Sequence, residues 1–223
     1  MTISFNGIPS NLRVPLFYAE FDNSRANTGA TVQEYKTLLI GNRLSSGTKS
    51  ALTLQRVTSA EQAADYFGAG SVLADMAASF LGINKNNPLY CIGLADNGSG
   101  VAATGSMTVG GAPTAAGTIA LMVGGRHIEV GVATTDAPDD IAANVVAAIN
   151  DDDLCVLSAA VDGSIAEKVN LTAKNKGTHG NEIEVTHSYF EGEALPAGVT
   201  LTAVTMASGA TNPVPSERPK NTT

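Results

Sequence analysis

The sequence predicts a mixed α+β fold with an extended N-terminal arm (residues 1–30), a partial α/β core (31–96) and a β-rich, sandwich-like domain (105–208). Three observations carry this prediction. Pro9 and Pro15 interrupt the apolar start of the chain and favour extended backbone there. In the core region, apolar runs of strand length are separated by segments whose apolar residues recur with the spacing of a helix. In residues 105–208, apolar and polar residues mostly alternate, as they do in half-buried strands.

Composition excludes several classes of function. The chain has 223 residues, a formal net charge of −8 and a sequence pI near 4.8. Such an acidic chain does not favour nucleic acid or anionic membrane surfaces as partners. Its apolar runs are far shorter than the ~18 residues of a membrane span, and the N-terminus lacks the features of a signal peptide. Two isolated cysteines fit a reducing compartment, so we expect the protein to be made in the cytoplasm.

The arm is apolar and prone to β structure, and it is followed by a polar stretch from Asp22 to Ala30. Two interpretations stay open. The arm forms a first edge strand of this chain's own sheet, or it is donated as a strand to the sheet of another subunit. In the second interpretation the inter-subunit contacts are made by Phe5, Ile8, Pro9, Val14, Pro15, Leu16, Phe17 and Tyr18.

The core region alternates strands and helices. Ser59 and Gln62 have the spacing of a capping box, and Ser71 is a second N-cap before an apolar helical repeat. We expect the two helices to end at Gly68 and Gly82. Predicted strands cover residues 35–41, 53–57 and 89–95. Continuous apolar strands joined through helices predict a parallel sheet, and a stable one needs more strands than these.

The second half reads as strands around one helix. A Gly-rich linker is predicted at residues 97–104, and Gly124-Gly125 predicts a two-residue hairpin turn. A helix is expected to start at Thr135 or Asp136, with Pro138 in its first turn. Further strands are predicted at 154–161, 169–173, 183–185 and 199–206, and residues 209–223 are expected to be a disordered tail.

Candidate chemical groups do not combine into a site. The loop at Gly98-Ser-Gly100 follows a strand but leads into Met107-Thr-Val-Gly-Gly, not into the helix that a nucleotide site requires. His179 and His187 would lie about 26 Å apart on a straight strand, too far for a shared metal.

The remaining reactive residues are best interpreted as structural or surface residues. Cys91 and Cys155 lie in apolar runs and read as core thiols rather than nucleophiles, and His127 reads as a surface residue. Asp151-Asp-Asp153 lacks the spacing of a calcium loop and reads as a solvated turn. We therefore expect no catalytic, metal or cofactor site and no enzymatic activity.

Several segments resemble the contractile tail sheath protein of Mu-like bacteriophages and prophages. They include the opening Ile3-Ser-Phe-Asn-Gly-Ile-Pro-Ser10 with Arg13-Val-Pro-Leu-Phe-Tyr-Ala-Glu20, and Phe67-Gly-Ala-Gly-Ser-Val-Leu-Ala-Asp-Met76. Leu38-Leu-Ile-Gly41, Leu171-Thr-Ala-Lys-Asn-Lys-Gly177 and Gly180-Asn-Glu-Ile183 are softer matches. The resemblance extends from residue 1 to about 213. Sheath proteins of this family are longer, so the chain resembles an N-terminal portion.

The resemblance implies a structural subunit of the virion tail, present in the host cytoplasm before assembly. Such subunits form homo-oligomeric rings stacked around the tail tube protein and contract to deliver the genome, with no cofactor. It also implies that residues 105–208 are an inserted domain, after which the longer chain completes the α/β core. An incomplete core would expose apolar edges that are prone to aggregate.

Two other functions are considered. Residues 105–208 are interpreted alternatively as a cell-surface or carbohydrate-binding module of a phage particle. The few aromatic residues in this span, Tyr189 and Phe190, argue against it, because sugar sites favour exposed rings. A small oxidoreductase is the third hypothesis, and the absence of any Tyr-x-x-x-Lys pair argues against its commonest form.

Overall fold

The computed structural model describes residues 35–214 and five separate positions before them: Asn11, Arg13, Pro15, Phe17 and Ala19. Residues 35–214 belong to one compact unit. They form a mixed α/β structure with three sheets and three α-helices, and none of these helices has the length and apolar character needed to cross a bilayer. The strands and helices of the first part are β1 (Thr37–Arg43), β2 (Leu54–Val57), α1 (Ala60–Phe67), α2 (Val72–Ile83) and β3 (Leu89–Ala95).

The first sheet has the order β1-β3-β2. β1 and β3 are parallel, as the apolar runs predicted, with Leu39 opposite Cys91. β2 is antiparallel to β3 and covers only four residues. It follows β1 after the loop at residues 44–53 and is connected to β3 through α1 and α2.

Helices α1 and α2 cover one face of this sheet. Ser59 caps α1, because its Oγ accepts a hydrogen bond from the backbone N–H of Gln62 at 3.2 Å. Gly68 ends α1 with a φ of +91°, as predicted. Gly41 of β1 allows α2 to pack closely, because a Cβ there would lie 3.3 Å from the Cβ of Leu73. The shared core contains Val57, Ala63, Phe67, Leu73, Ala74, Ala77, Leu89 and Cys91.

The second part of the chain contains two further sheets. Its elements are β4 (Ala102–Gly110), β5 (Gly117–Val123), β6 (Arg126–Val132), α3 (Pro138–Asp151), β7 (Leu157–Val161), β8 (Lys168–Lys176), β9 (Val185–His187) and β10 (Thr200–Ala207), with a 3₁₀ turn at Thr178–Glu182. One sheet has the order β10-β4-β8-β7 and the other β6-β5-β9, and their paired strands are antiparallel.

Both sheets and α3 share a single core. Helix α3 packs against β4, β7 and β8 of the larger sheet and against β6 of the smaller one. Its buried face consists of Ile141, Ala142, Val145 and Ile149. The β5–β6 hairpin turns at Gly124 and Gly125, whose φ angles of +56° and +84° fit the predicted two-residue turn.

Some predicted boundaries shift. α3 begins at Pro138 rather than at Thr135 or Asp136, because the Asp136 carboxylate accepts the Ala133 N–H instead of capping the helix. Its first turn is closed by Asp140, which accepts the N–H of Ala137. Helix α2 passes the predicted stop at Gly82 and ends at Ile83.

The predicted linker and tail contact each other. β4 begins at Ala102, inside the segment predicted as a linker, and Val101 forms an antiparallel bridge with Ala210. Asn212 follows and its Oδ1 accepts the backbone N–H of Thr178 at 2.7 Å. The chain therefore leaves the β-rich part beside the point at which it entered, and Ala210 and Asn212 of the predicted tail take part in these contacts.

Candidate assembly interface

The face of the first sheet opposite the helices is apolar and open. Strand register places Ile40 of β1, Ile92 of β3 and Leu54 of β2 in one row, and Leu38, Tyr90 and the exposed Arg56 in the next, so the face is apolar except at Arg56. Leu38, Ile40 and Leu54 are 50%, 53% and 57% exposed. Large aliphatic side chains clustered on one exposed face mark a surface that packs against other polypeptide.

The same sheet also has an open edge. β1 pairs with β3 on one side, and within residues 35–214 no strand pairs with its other side. Among residues 35–214, this edge therefore has no strand partner from Thr37 to Arg43, and only the Arg43 carbonyl at its end accepts a hydrogen bond from Asn175. An edge of this length is suited to pairing with a further strand.

A buried polar junction ties this sheet to the β-rich part. Asn175 of β8 is 2% exposed, and all its side-chain hydrogen bonds go to the first part of the chain. Its Oδ1 accepts the N–H of Val72 at 3.0 Å, which caps α2 from outside that helix. Its Nδ2 donates to the Arg43 carbonyl at 3.2 Å and to the Asp96 carboxylate at 3.1 Å.

Asp96 is the second member of this junction and directly follows β3. Its Oδ1 also accepts from the Asn42 amide at 3.1 Å, and its Oδ2 accepts the backbone N–H of Lys176 at 3.0 Å. The carboxylate thus joins β1, β3 and β8 at one point. Sequence reasoning missed this junction, although one signal was present: Asn175 continues the buried positions Val169, Leu171 and Ala173 of β8, where a polar residue is out of pattern.

The arm residues predicted for inter-subunit contact lie mostly outside the described residues. This applies to Phe5, Ile8, Pro9, Val14, Leu16 and Tyr18. Pro15 and Phe17 are described as single positions, and neither is assigned to a helix or strand. The proposed role of the arm therefore stays a prediction.

The structure does not bring the other candidate groups together. Within the described residues, no group of three or more His, Cys, Asp or Glu side chains is placed to hold a metal ion. Asp152 is not merely solvated but pairs with Arg126. Cys91 and Cys155 are buried free thiols, and burial raises the pKa of Cys91 to about 11 and that of Cys155 in the same direction. Thiols held in this form are poor nucleophiles.

An exposed aromatic pair lies on the loop after β9. Tyr189 and Phe190 are 63% and 52% exposed, and their rings meet edge to face at 5.3 Å. Glu193 fixes the loop, because its Oε2 accepts the Phe190 N–H at 3.1 Å and its Oε1 lies 2.7 Å from Nε2 of His127. These hydrogen bonds lower the pKa of Glu193, the Phe190 N–H most strongly.

The open sheet face and edge lie beside a polar junction with the β-rich part, and an arrangement of this kind is suited to packing against further polypeptide. The comparison with known sequences agrees. The tail sheath protein of the Mu-like prophage FluMu of Haemophilus influenzae is 39% identical over 213 residues, which is 96% of this chain and 43% of that protein. The chain is thus a homologue of a Mu-like tail sheath protein, as its motifs predicted, and it spans less than half of that relative's length.

Other comparisons add little. No protein-family model matches the chain. The D2–D3 domains of the flagellar cap protein FliD from Escherichia coli align with 15% identity and a TM-score of 0.29, covering 50% of this chain and 70% of that one. The D1–D2–D3 structure of the same protein gives 14% and 0.28, covering 50% and 38%. Likeness at this level has no bearing on fold or function.

Proposed function

We propose that the chain is the N-terminal portion of a structural subunit of a phage contractile tail sheath. The observation that carries this proposal is the 39% identity to a tail sheath protein across nearly the whole chain. The open sheet supports it, because Leu38, Ile40 and Leu54 form a surface for packing rather than for catalysis. The role requires no catalytic group and no cofactor, and its place is the virion tail, reached from the host cytoplasm.

In this proposal the β-rich part is an inserted domain. The first sheet is completed by a segment corresponding to the part of the relative that this chain does not span. The bridge between Val101 and Ala210 supports it, because entry and exit of the β-rich part are adjacent. Asn97 Nδ2 lies 3.5 Å from the Asn212 carbonyl, so the chain returns to the end of β3. From there a following segment has a short path to the open face and to the free edge of β1.

The completed subunits assemble as stacked rings around the tail tube. The arm residues from Phe5 to Tyr18 add a strand to a neighbouring sheet, which links subunits through backbone hydrogen bonds and tolerates changes in side chains. Contraction moves the subunits between two packings, and the free-energy difference between those packings drives the tube through the host envelope to deliver the genome.

In this mechanism the polar junction keeps the first sheet and the β-rich part together, so the two parts move as one rigid body. Asn175 is buried and Asp96 is half-buried, and both form hydrogen bonds across the boundary between the first sheet and the β-rich part. Separating the two parts would exchange these hydrogen bonds for bonds to water, at a net cost of about 0.5–1.5 kcal/mol for each. We therefore place the reorientation between subunits, at the arm, rather than at residues 97–104.

Assembly is the direct test. The full chain is co-expressed with a polypeptide corresponding to the part of the relative that it does not span, and the product is examined by negative-stain electron microscopy. We expect rings or tubes, and their loss when residues 1–20 are deleted. Monomers at both low and high salt contradict the sheath role, and assembly that is unchanged by the deletion contradicts the role of the arm.

A second candidate function rests on the exposed pair Tyr189 and Phe190, which a carbohydrate-binding module would use as a stacking surface. A glycan array screened with the full chain tests it. Binding that is lost in Tyr189→Ala and kept in Tyr35→Ala, where an equally exposed ring lies outside the β-rich part, favours a cell-surface-binding module. Absence of binding leaves the sheath role as the better account.

A further inference from the structure

A surface cavity beside the polar junction gathers cationic side chains. Its volume is about 350 Å³, and its charged lining consists of Arg43, Lys174, Lys176 and Asp96, with the hydroxyl residue Ser45 at its margin. Three cations against one carboxylate are unusual here, because the whole chain has 13 Lys and Arg against 21 Asp and Glu. The cavity is therefore a local reversal of the protein's net negative charge.

Among residues 35–214, the carboxylate in the cavity forms no ion pair with these cations. Both oxygens of Asp96 accept from amide and backbone N–H groups, those of Asn42, Asn175 and Lys176. Within residues 35–214 the cations of this cavity form no salt bridge. The hydrogen bonds that two of them do make go to neutral carbonyls, those of Gly47 and Asp153.

One donor on a side chain that lines the cavity lacks a partner among the described residues. Nε of Arg43 is buried and has no hydrogen-bond acceptor among the described residues, although Nη2 of the same guanidinium donates to the Gly47 carbonyl at 2.8 Å. A buried guanidinium N–H without an acceptor is costly, and an anionic oxygen is the acceptor that offsets this cost best. The stem of Arg43 packs on Gly93, so the head group is held in place.

We propose that this cavity binds an oxyanion, with Arg43, Lys174 and Lys176 as its charged ligands. The oxyanion has two sources: a carboxylate side chain from a second copy of this chain, or free phosphate. The acidic composition favours the first source, and that part of the inference rests on the proposed assembly function. Binding of the oxyanion itself does not depend on assembly.

The cavity is tested by titrating inorganic phosphate into the full chain and following binding by calorimetry. We expect saturable binding, about tenfold weaker in Lys176→Gln, since a hydrogen bond to a charged group is lost from a half-exposed site. Lys168→Gln is the matched control, because this substitution removes the same charge from the same strand. Lys168 lies outside the cavity and pairs with Asp162. Circular dichroism confirms that both variants are folded.

A second measurement separates the two sources. Sedimentation velocity of the full chain at low ionic strength is compared with and without saturating phosphate. If phosphate and Lys176→Gln both reduce self-association, the ligand is a carboxylate of a second copy. If neither changes self-association, the ligand is free phosphate. No saturable phosphate binding, or equal binding in Lys176→Gln and Lys168→Gln, overturns the site even where sheath tubes form.

Discussion

The amide of Asn175 donates a hydrogen bond of 3.1 Å to the carboxylate of Asp96. This contact joins β8 of the β-rich part to the end of β3, and Asn175 also caps α2 through the Val72 N–H. Because Asn175 is 2% exposed and its hydrogen-bonding groups are paired, the two parts are joined by a satisfied polar network instead of an apolar interface. Such a network specifies one relative orientation.

We predict that Asn175→Ala lowers the free energy of unfolding by about 2–4 kcal/mol, because the change leaves the Val72 N–H and the Arg43 carbonyl without their partner. Urea denaturation followed by circular dichroism measures this value. Asn170→Ala is the control on the same strand, where the amide reaches only the half-buried Asp162 at the surface, and we expect a smaller loss of about 1 kcal/mol. Equal losses in both variants contradict the importance of the junction.

Local patterns predicted local structure well. The capping residue Ser59 and the turn at Gly124-Gly125 follow from a few neighbouring residues, the parallel pair β1–β3 follows from two continuous apolar runs separated by helices, and all are present. The junction was not predictable in this way, because Asn42, Asp96 and Asn175 are far apart in sequence and pair only after both parts have folded. Asn175 at a buried position of β8 indicates that its amide has a hydrogen-bond partner, but the sequence does not identify that partner.

The open sheet face leads to a prediction about association. Ile40→Lys places a charge on a side chain that is 53% exposed, so the free energy of unfolding should change by less than about 1 kcal/mol. The same charge should reduce concentration-dependent aggregation of the full chain, measured by light scattering, because the apolar surface is interrupted. Thr172→Lys on the outward face of β8 serves as control. Aggregation that both variants reduce equally points to net charge rather than to this face.

The cysteines report on opening of the two cores. Cys91 and Cys155 are fully buried, and burial raises the pKa of Cys91 to about 11. We therefore expect thiol reagents at pH 8 to label the native chain slowly, at a rate that urea increases, until both thiols react. Ser158→Cys supplies an exposed thiol for comparison and should react at once. If Cys91 or Cys155 of the native chain reacts as fast as the introduced thiol, that cysteine is not protected by the core around it.

The last prediction concerns acid stability. Hydrogen bonds from the Asn170 amide and the Ser164 N–H lower the pKa of Asp162 to about 2, from an ordinary value of 3.8. Because the folded pKa lies below the unfolded one, the stabilisation is present above about pH 4 and is lost as the pH falls towards 2. Asn170→Ala removes the largest cause and should raise this pKa towards its ordinary value. The unfolding free energy, measured from pH 2 to 5, should then fall less steeply with acid than in the parent chain, and an identical slope in the two proteins contradicts the assignment.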